Sequence, residues 1–201
     1  MKPWSVPRMW DGLTVVILAS GPSMSPAVAE AVADRGLPSI AINNTFRIAP
    51  RAAMLYAADA EWWAHPSNKD AQEFPGLRVT VSAVPGVLRL RVSGTEGYDP
   101  DPASVRTGSN SGYQATHIAM QAGAARILLC GVDMRGSHWH GMHVDGLRET
   151  PQLLYQRFIS RFETLVEPAK ALGVDIVNCT PGSALTCFRT DSLENQLCVG
   201  L

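Results

Sequence analysis

The chain has 201 residues, the length of one ordinary domain, and 46% of them are hydrophobic, which suffices for a full core and excludes a disordered chain. Its 17 basic and 18 acidic residues leave a net charge of −1, which excludes a protein that binds nucleic acid through overall positive charge. We expect one domain over residues 1–201, with residues 1–11 as an N-terminal extension.

The first half of the chain predicts strands that alternate with turns and one helix. Residues 13–19 are continuously apolar and β-branched, which is typical of a strand covered on both faces. A helix follows over residues 26–35, because Ser25 can cap it and proline suits its first position. Further strands are predicted at 39–43, 53–58, 77–81 and 87–92. Residues 93–109 are rich in Gly, Pro and Asp without periodicity, so we predict a lid or binding loop there.

The second half repeats the alternation of strand and helix. A helix over 112–122 begins at Asn110 or Ser111, and a buried strand over 126–133 ends in an acid. The longest predicted helix covers 151–172, with a kink at Pro168, and a last core strand covers 174–179. The pattern predicts an α/β fold of one domain: a Rossmann-like, doubly wound, mainly parallel sheet with helices on both faces.

Polar motifs follow the predicted strands at their carboxyl ends, where open parallel sheets bind ligands. Gly21, Pro22 and Ser23, here called the GPS loop, precede a helix whose N-terminus can bind an anion. A plain strand-to-helix turn is an equally good interpretation, since the loop has only one of the three glycines of the dinucleotide-binding motif and lacks the lysine of the P-loop. Asn44 can contact a nucleobase or ribose, or cap the next turn.

A histidine cluster follows the strand that ends in Asp133. His138, His140 and His143 fall within six residues, and histidine can act as a base, a phosphate donor or a metal ligand. The glycines of this tract argue against the helical spacing of a zinc site, so we predict that the three rings do not share an ion.

Two further charged residues have alternative interpretations. Asp59 precedes Trp62 and Trp63, which form either the rim of a site or part of the core. Arg106 precedes the helix start at 111–112 and either contacts an anionic substrate or is a solvated loop charge.

The cysteines and the hydropathy predict a cytoplasmic protein. Cys130, Cys179, Cys187 and Cys198 form no CxxC motif, so we expect reduced thiols. No apolar run reaches the length of about 20 residues that spans a bilayer, and the N-terminus lacks the pattern of a signal peptide.

The motifs together resemble a known group of enzymes. In chain order they are GPSM at 21–24, NTF at 44–46, SG at 111–112, AGAARILLCGVD at 122–133, SHWHG at 137–141 and NCTPGS at 178–183. This order resembles the bacterial sialyltransferases of glycosyltransferase family 42. It is also similar to relatives of archaeal 6-hydroxymethyl-dihydropterin diphosphokinase and to small phage and prophage proteins. The resemblance covers roughly residues 13–190.

The resemblance implies roles for individual residues. The phosphate of the nucleotide would be held by Gly21, Pro22 and Ser23, the nucleoside by Asn44, and Ser111 and Gly112 would lie beside the nucleotide. His138 would be the catalytic base. Arg135 stands where these sialyltransferases have a tyrosine that steadies the departing phosphate, and an arginine could perform that task.

The expected function is therefore a nucleotide-dependent transferase, with glycosyl transfer from a nucleotide-activated sugar as the first hypothesis. The alternative is diphosphate transfer from ATP to a pterin-like hydroxymethyl heterocycle, which needs Mg²⁺ held by Asp59, Asp133 or the histidine cluster. A nucleotide-binding module without catalysis is the third. We expect no tightly bound cofactor, and the acceptor is left open among a glycan, a small molecule and a modified nucleic acid.

Overall fold

The computed structural model describes residues 3–141 and 151–198. Its strands, in chain order, are β1 Thr14–Leu18, β2 Ser39–Ile42, β3 Met54–Tyr56, β4 Leu77–Thr80, β5 Leu88–Arg89, β6 Arg91–Gly94, β7 Ser104–Arg106, β8 Arg126–Cys130, β9 Asp175–Asn178 and β10 Arg189–Thr190. Its α-helices are α1 Pro26–Asp34, α2 Ala60–Ala64, α3 Ser111–Gln121, α4 Leu153–Glu163, α5 Val166–Leu172 and α6 Leu193–Cys198. Two 3-10 segments cover Asn43–Arg47 and Pro66–Glu73.

The main sheet has eight strands in the order β10-β9-β8-β1-β2-β3-β4-β5, and its neighbouring strands pair in parallel. The chain builds outward from β1 through β2 to β5, then returns to the other side of β1 with β8. The order of strands therefore reverses between β1 and β8, which makes this pair the topological switch point of the sheet. The predicted Rossmann-like, doubly wound fold is confirmed, with β1 and β8 in the interior of the sheet.

Both faces of the sheet are covered, and β1 and β8 are continuously apolar and buried after their first residue. Val15 and Ile17 of β1 pack into one core with α3, α4 and α5. Val16 and Leu18 of the same strand pack into a second core, which contains residues of α1 and α2. Alternate side chains of a strand point to opposite faces, so a continuous apolar run requires a core on each side.

The predicted helix over 151–172 is two helices in the structure. The chain leaves the helical hydrogen-bond pattern at Thr164 and Leu165, earlier than the predicted kink at Pro168. Pro168 lies in the first turn of α5, where a backbone N–H has no acceptor within the helix, so proline costs nothing there. Thr150, which precedes the predicted helix and can cap it, lies outside the described part of the chain.

The segment 93–109 is more regular than its composition predicts. Strands β6 and β7 form a small parallel sheet of their own. Gln121 of α3 donates from Nε2 to the carbonyl oxygens of Asp99, Asp101 and Ser104, each at 2.9 Å. These bonds attach the segment to α3, and residues 93–94 and 104–106 of it lie in strands.

The cysteines are free thiols, as predicted, and Cys130 and Cys179 are buried. In the portion of the chain that the structure describes, no helix combines the length and the apolar character needed to cross a membrane.

Candidate active site at the switch point

A pocket of about 210 Å³ opens at the carboxyl ends of β1, β2 and β8, at the switch point where ligands bind in sheets of this kind. The loops after these strands, the start of α3 and one side of α4 supply its walls. The lining residues on which the argument below depends are Ser20, Gly21, Asn43, Asp59, Ser109, Ser111, Gly112, Asp133, Met134, Arg135, His138, Tyr155 and Phe158.

Backbone strain is concentrated in this pocket. Asn43, Ser109 and Met134 are the non-glycine residues with positive φ among those that the structure describes, at 48°, 50° and 54°. All three line the pocket. A left-handed conformation costs a side-chain-bearing residue roughly 1–2 kcal/mol, and such residues cluster at functional sites. The strained residues therefore lie in the same pocket that the strand order places at the switch point.

The GPS loop holds a carboxylate of its own chain. Ser23 donates from Oγ to Asp133 Oδ2 at 2.9 Å, and its backbone N–H points to the same oxygen at 3.4 Å. Gly21 passes so close that a β-carbon there would overlap this carboxylate and lie 2.5 Å from the Gly131 carbonyl oxygen. Gly21 lines the pocket, whereas Pro22 and Ser23 do not. The donors expected to hold a phosphate are thus occupied by the buried Asp133.

The start of α3, in contrast, faces the pocket. Asn110 caps this helix by accepting a hydrogen bond from the Tyr113 N–H at 3.1 Å. Ser111 and Gly112, which follow the cap, both line the pocket as predicted. Their backbone N–H groups belong to the first turn, which has no acceptors within the helix and lies at the positive end of the helix dipole. The pocket wall at α3 therefore favours a negative charge.

The ring of His138 contacts the end of β1. Its Nδ1 lies 3.3 Å from the carbonyl oxygen of Ser20, and a carbonyl can only accept, so Nδ1 carries the proton. The backbone N–H of Trp139 donates to the same oxygen at 3.1 Å. The loop that carries His138 and Trp139, here called the histidine loop, is therefore attached to the end of β1. With its proton on Nδ1, a neutral ring has the tautomer that a general base requires.

Asn44 and His140 lie next to the pocket rather than in its lining. The amide Nδ2 of Asn44 donates to His140 Nε2 at 3.2 Å, and the ring of His140 stacks on that of His138 at 5.1 Å between centroids. The structure thus assigns the Asn44 side chain to contacts within the protein, whereas its neighbour Asn43 lines the pocket. Asparagine adopts left-handed backbone more readily than most residues, and this preference is the sequence signal that could have pointed to Asn43.

Asp59 contributes a second carboxylate to the pocket. It occupies the cap position of α2 but makes no capping hydrogen bond. Desolvation, followed by the nearby charge of Glu61, raises the pKa of its carboxyl. The tryptophans that follow it are buried and meet edge to face at 5.0 Å, so they are core residues and not a rim.

The two arginines predicted near the site differ in position. Arg135 lines the pocket, and its guanidinium lies beside Gly182 in the loop after β9. Arg106 packs over Gly94 in the small sheet, outside the pocket lining, with its Nε buried. It is therefore outside the lining of this pocket and only partly exposed.

The described residues include no group of three or more His, Cys, Asp or Glu side chains that could hold a metal ion. His138 and His140 stack face to face. His143 lies outside the described residues.

Tyr155 and Phe158 of α4 also line the pocket. The hydroxyl of Tyr155 donates to the carbonyl oxygen of Gly136 at 2.9 Å, which connects α4 to the histidine loop. Nothing in the local sequence distinguished Tyr155 from the other residues of the predicted helix.

Comparisons of the chain with protein-family models, with curated proteins and with solved structures found no match. The resemblance to sialyltransferases and to the diphosphokinase relatives therefore stays a prediction.

Proposed function

We propose that this chain is a nucleotide-dependent transferase that moves a glycosyl group from a nucleotide-activated sugar to an acceptor hydroxyl. The observation that carries the proposal is that His138, Arg135 and the start of α3 line one pocket at the switch point. A base, a cation and a helix N-terminus are the groups that this transfer requires. The reduced cysteines support a cytoplasmic setting.

In the proposed reaction, His138 Nε2 accepts the proton of the acceptor hydroxyl. The acceptor oxygen forms a bond to the anomeric carbon while the bond from that carbon to the phosphate oxygen breaks. The electron pair leaves with the nucleotide phosphate, whose charge Arg135 and the α3 amides stabilise. A positioned base contributes about 10²–10⁴-fold, and a donor aimed at a developing negative charge about 10²–10³-fold.

The occupied GPS loop decides where the phosphate lies in this proposal. Ser23 already binds Asp133, and a second anion about 4 Å from that carboxylate would be repelled by about 4 kcal/mol at an effective dielectric constant of 20. We therefore place the phosphate beside the start of α3 and Arg135, which also line the pocket. This departs from the role that the resemblance implies for Ser23.

The test is binding first and turnover second. The melting temperature is measured with CMP, UDP, GDP, ATP and the sugar conjugates of the first three, each with and without Mg²⁺. A ligand at 100 times its dissociation constant stabilises the protein by about 2.7 kcal/mol. Arg135→Ala should weaken binding of the stabilising nucleotide about 10- to 100-fold, as for a lost hydrogen bond to a charged group. Arg157→Ala, at an exposed position of α4, is the control.

Turnover then separates a base from a binding group. His138→Ala should lower donor consumption about 100-fold or more and leave nucleotide affinity within about twofold, since proton transfer occurs only in the transition state. His65→Ala is the matched control outside the pocket lining. Unchanged donor consumption in His138→Ala would overturn the assignment of the base. Nucleotide binding without any donor consumption would favour a binding module.

A second function is supported by the two carboxylates of the pocket. Asp59 and Asp133 both line it, and Mg²⁺ is commonly held by one or two carboxylates together with substrate phosphates. Diphosphate transfer from ATP to a hydroxymethyl heterocycle would use such an arrangement. It predicts that ATP stabilises the protein only with Mg²⁺ and that Asp59→Asn removes this dependence. Stabilisation by CMP or UDP derivatives without metal supports glycosyl transfer instead.

A further inference from the structure

The side chain of Asn44 has an orientation fixed by chemistry. Its Oδ1 accepts hydrogen bonds from Trp62 Nε1 at 3.0 Å and from Arg47 Nη1 at 2.9 Å. Only the oxygen end of the amide can accept, so the two donors identify it. The nitrogen end must then point toward His140, where Nδ2 and Nε2 are 3.2 Å apart.

Arg47 is itself held in place. Its guanidinium donates to both carboxylate oxygens of Asp70, at 3.1 and 3.0 Å, and to the carbonyl oxygen of Ser67 at 2.7 Å. It also lies over the ring of Phe46, 4.6 Å from the centroid. Several contacts therefore hold the guanidinium of Arg47, which in turn holds the side-chain amide of Asn44.

The orientation of Asn44 determines the tautomer of His140. Because Nδ2 can only donate, His140 Nε2 accepts and the proton of this ring is on Nδ1. The ring is held from the side by Trp139, which meets it edge-on at 5.3 Å between centroids. Trp139 is anchored in turn, since its Nε1 donates to Thr45 Oγ1 at 3.2 Å. These contacts hold the ring of His140 in place, and the ring of His138 stacks on it at an interplanar angle of 10°.

We propose that His140 and Asn44 are positioning residues for His138. The Ser20 carbonyl fixes one edge of the His138 ring, and the His140 ring fixes its face. The loop contains Gly136 and Gly141, both at positive φ, so its backbone allows more than one path and these two contacts contribute to the orientation of the ring. A base contributes to catalysis only when it is aligned with the proton it removes. This inference rests on the proposed function for its catalytic part, whereas the geometric part stands on its own.

The geometric part is tested by NMR of the protein labelled with ¹⁵N in the histidine rings. In the wild type, both His138 and His140 should carry the proton on Nδ1. Asn44→Asp replaces the donor by an acceptor and should move the His140 proton to Nε2. Asn195→Ala in α6, outside the pocket lining, should leave both rings unchanged. A proton on Nε2 of His138, or an unchanged His140 in Asn44→Asp, would overturn the proposal whether or not any turnover is found.

The catalytic part is tested by separating kcat from KM. Asn44→Ala and His140→Ala should each lower kcat about 10- to 100-fold, the scale of a misplaced catalytic group, with little change in the nucleotide dissociation constant. His140→Phe keeps a flat ring against His138 and should recover most of the kcat lost in His140→Ala. A loss of nucleotide affinity in Asn44→Ala with kcat intact would make Asn44 a ligand contact and overturn its positioning role. If no donor is turned over by the wild type, the proposed function fails and the NMR result still decides the geometry.

Discussion

Helices α1 and α3 both begin with a side-chain cap, but their N-termini differ in what they face. The loop before α1 directs a hydroxyl and an N–H of Ser23 at the Asp133 carboxylate. The first residues of α3 line the pocket. The bodies of the helices differ as well: α1 buries two of its residues, whereas α3 is buried from Gly112 to Gln121.

The difference is that the chain itself occupies the donors before α1 with Asp133, whereas the start of α3 faces the pocket. Asp133 lies 110 positions from Ser23 in the sequence, yet it provides the negative charge that the GPS loop attracts. At α3 the only internal acceptor shown for the first turn is the cap of Asn110, in the part of the chain that the structure describes. We therefore expect substitutions at the two helix starts to have different effects on stability and on ligand binding.

The largest expected effect is a loss of stability at acid pH, and its source is His117 in α3. His117 is fully buried, and its Nε2 accepts a hydrogen bond from the Asp99 N–H at 2.8 Å. Burial lowers its pKa from 6.5 to about 4. The unfolded chain therefore binds a proton at this histidine at higher pH than the folded one. The contribution of His117 to the free energy of unfolding is constant above about pH 6.5 and falls toward pH 4. The loss should reach about 3 kcal/mol, measured by urea unfolding at several pH values.

His117→Gln should flatten this dependence between pH 6.5 and 4, because glutamine offers an acceptor to Asp99 without titrating. His65→Gln should retain the loss. The carboxylate of Asp99 acts in a lower range, since hydrogen bonds, that of Ser93 first, lower its pKa to about 2. An equal acid loss in wild type and His117→Gln would exclude His117 as its source.

The next effect compares one substitution at the two helix starts. Gly21→Ala places a methyl group against the Asp133 carboxylate and the Gly131 carbonyl, so we expect unfolding to become about 2–3 kcal/mol easier, as for overpacked sites. At Gly112 the nearest atom to the added carbon is Asn110 Oδ1 at 3.0 Å. Alanine is also favoured over glycine within a helix by roughly 0.5–1 kcal/mol, so Gly112→Ala should change stability by less than about 1 kcal/mol.

Urea unfolding of both variants gives the difference directly. If Gly21→Ala is as stable as the wild type, the close contact between the GPS loop and Asp133 does not exist in solution. A loss at Gly112 as large as that at Gly21 would show that the start of α3 is equally closed, contrary to the comparison.

The fold could be predicted from the sequence where the pattern is local. Continuous apolar runs identified β1 and β8 as buried strands, and capping residues located the starts of α1 and α3. The regular structure of 93–109 was missed because it depends on bonds from Gln121, which lies outside the segment. The break between α4 and α5 was placed too late because proline is harmless in a first turn.

The site could be predicted as far as strand ends determine it. Gly21, Ser111 and His138 were expected to share a pocket and do so. Ser23 and Asn44 were expected there as well, but their side chains are held by Asp133 and His140, which lie 110 and 96 positions away. Partners this distant in sequence become neighbours only through the order of the strands, which composition and periodicity do not specify.

The smallest effect concerns the two caps. Ser25 Oγ accepts from the Val28 N–H at 3.4 Å and Asn110 Oδ1 accepts from the Tyr113 N–H at 3.1 Å. Replacing either cap by alanine should cost about 1 kcal/mol of stability. Only Asn110→Ala should also weaken binding of the stabilising nucleotide, by several-fold, because Asn110 lines the pocket and Ser25 does not. Isothermal titration of both variants against that nucleotide checks this. Weaker binding in Ser25→Ala with Asn110→Ala unaffected would return the phosphate to α1 and reverse the contrast between the helices, since the two caps are otherwise equivalent in type and cost.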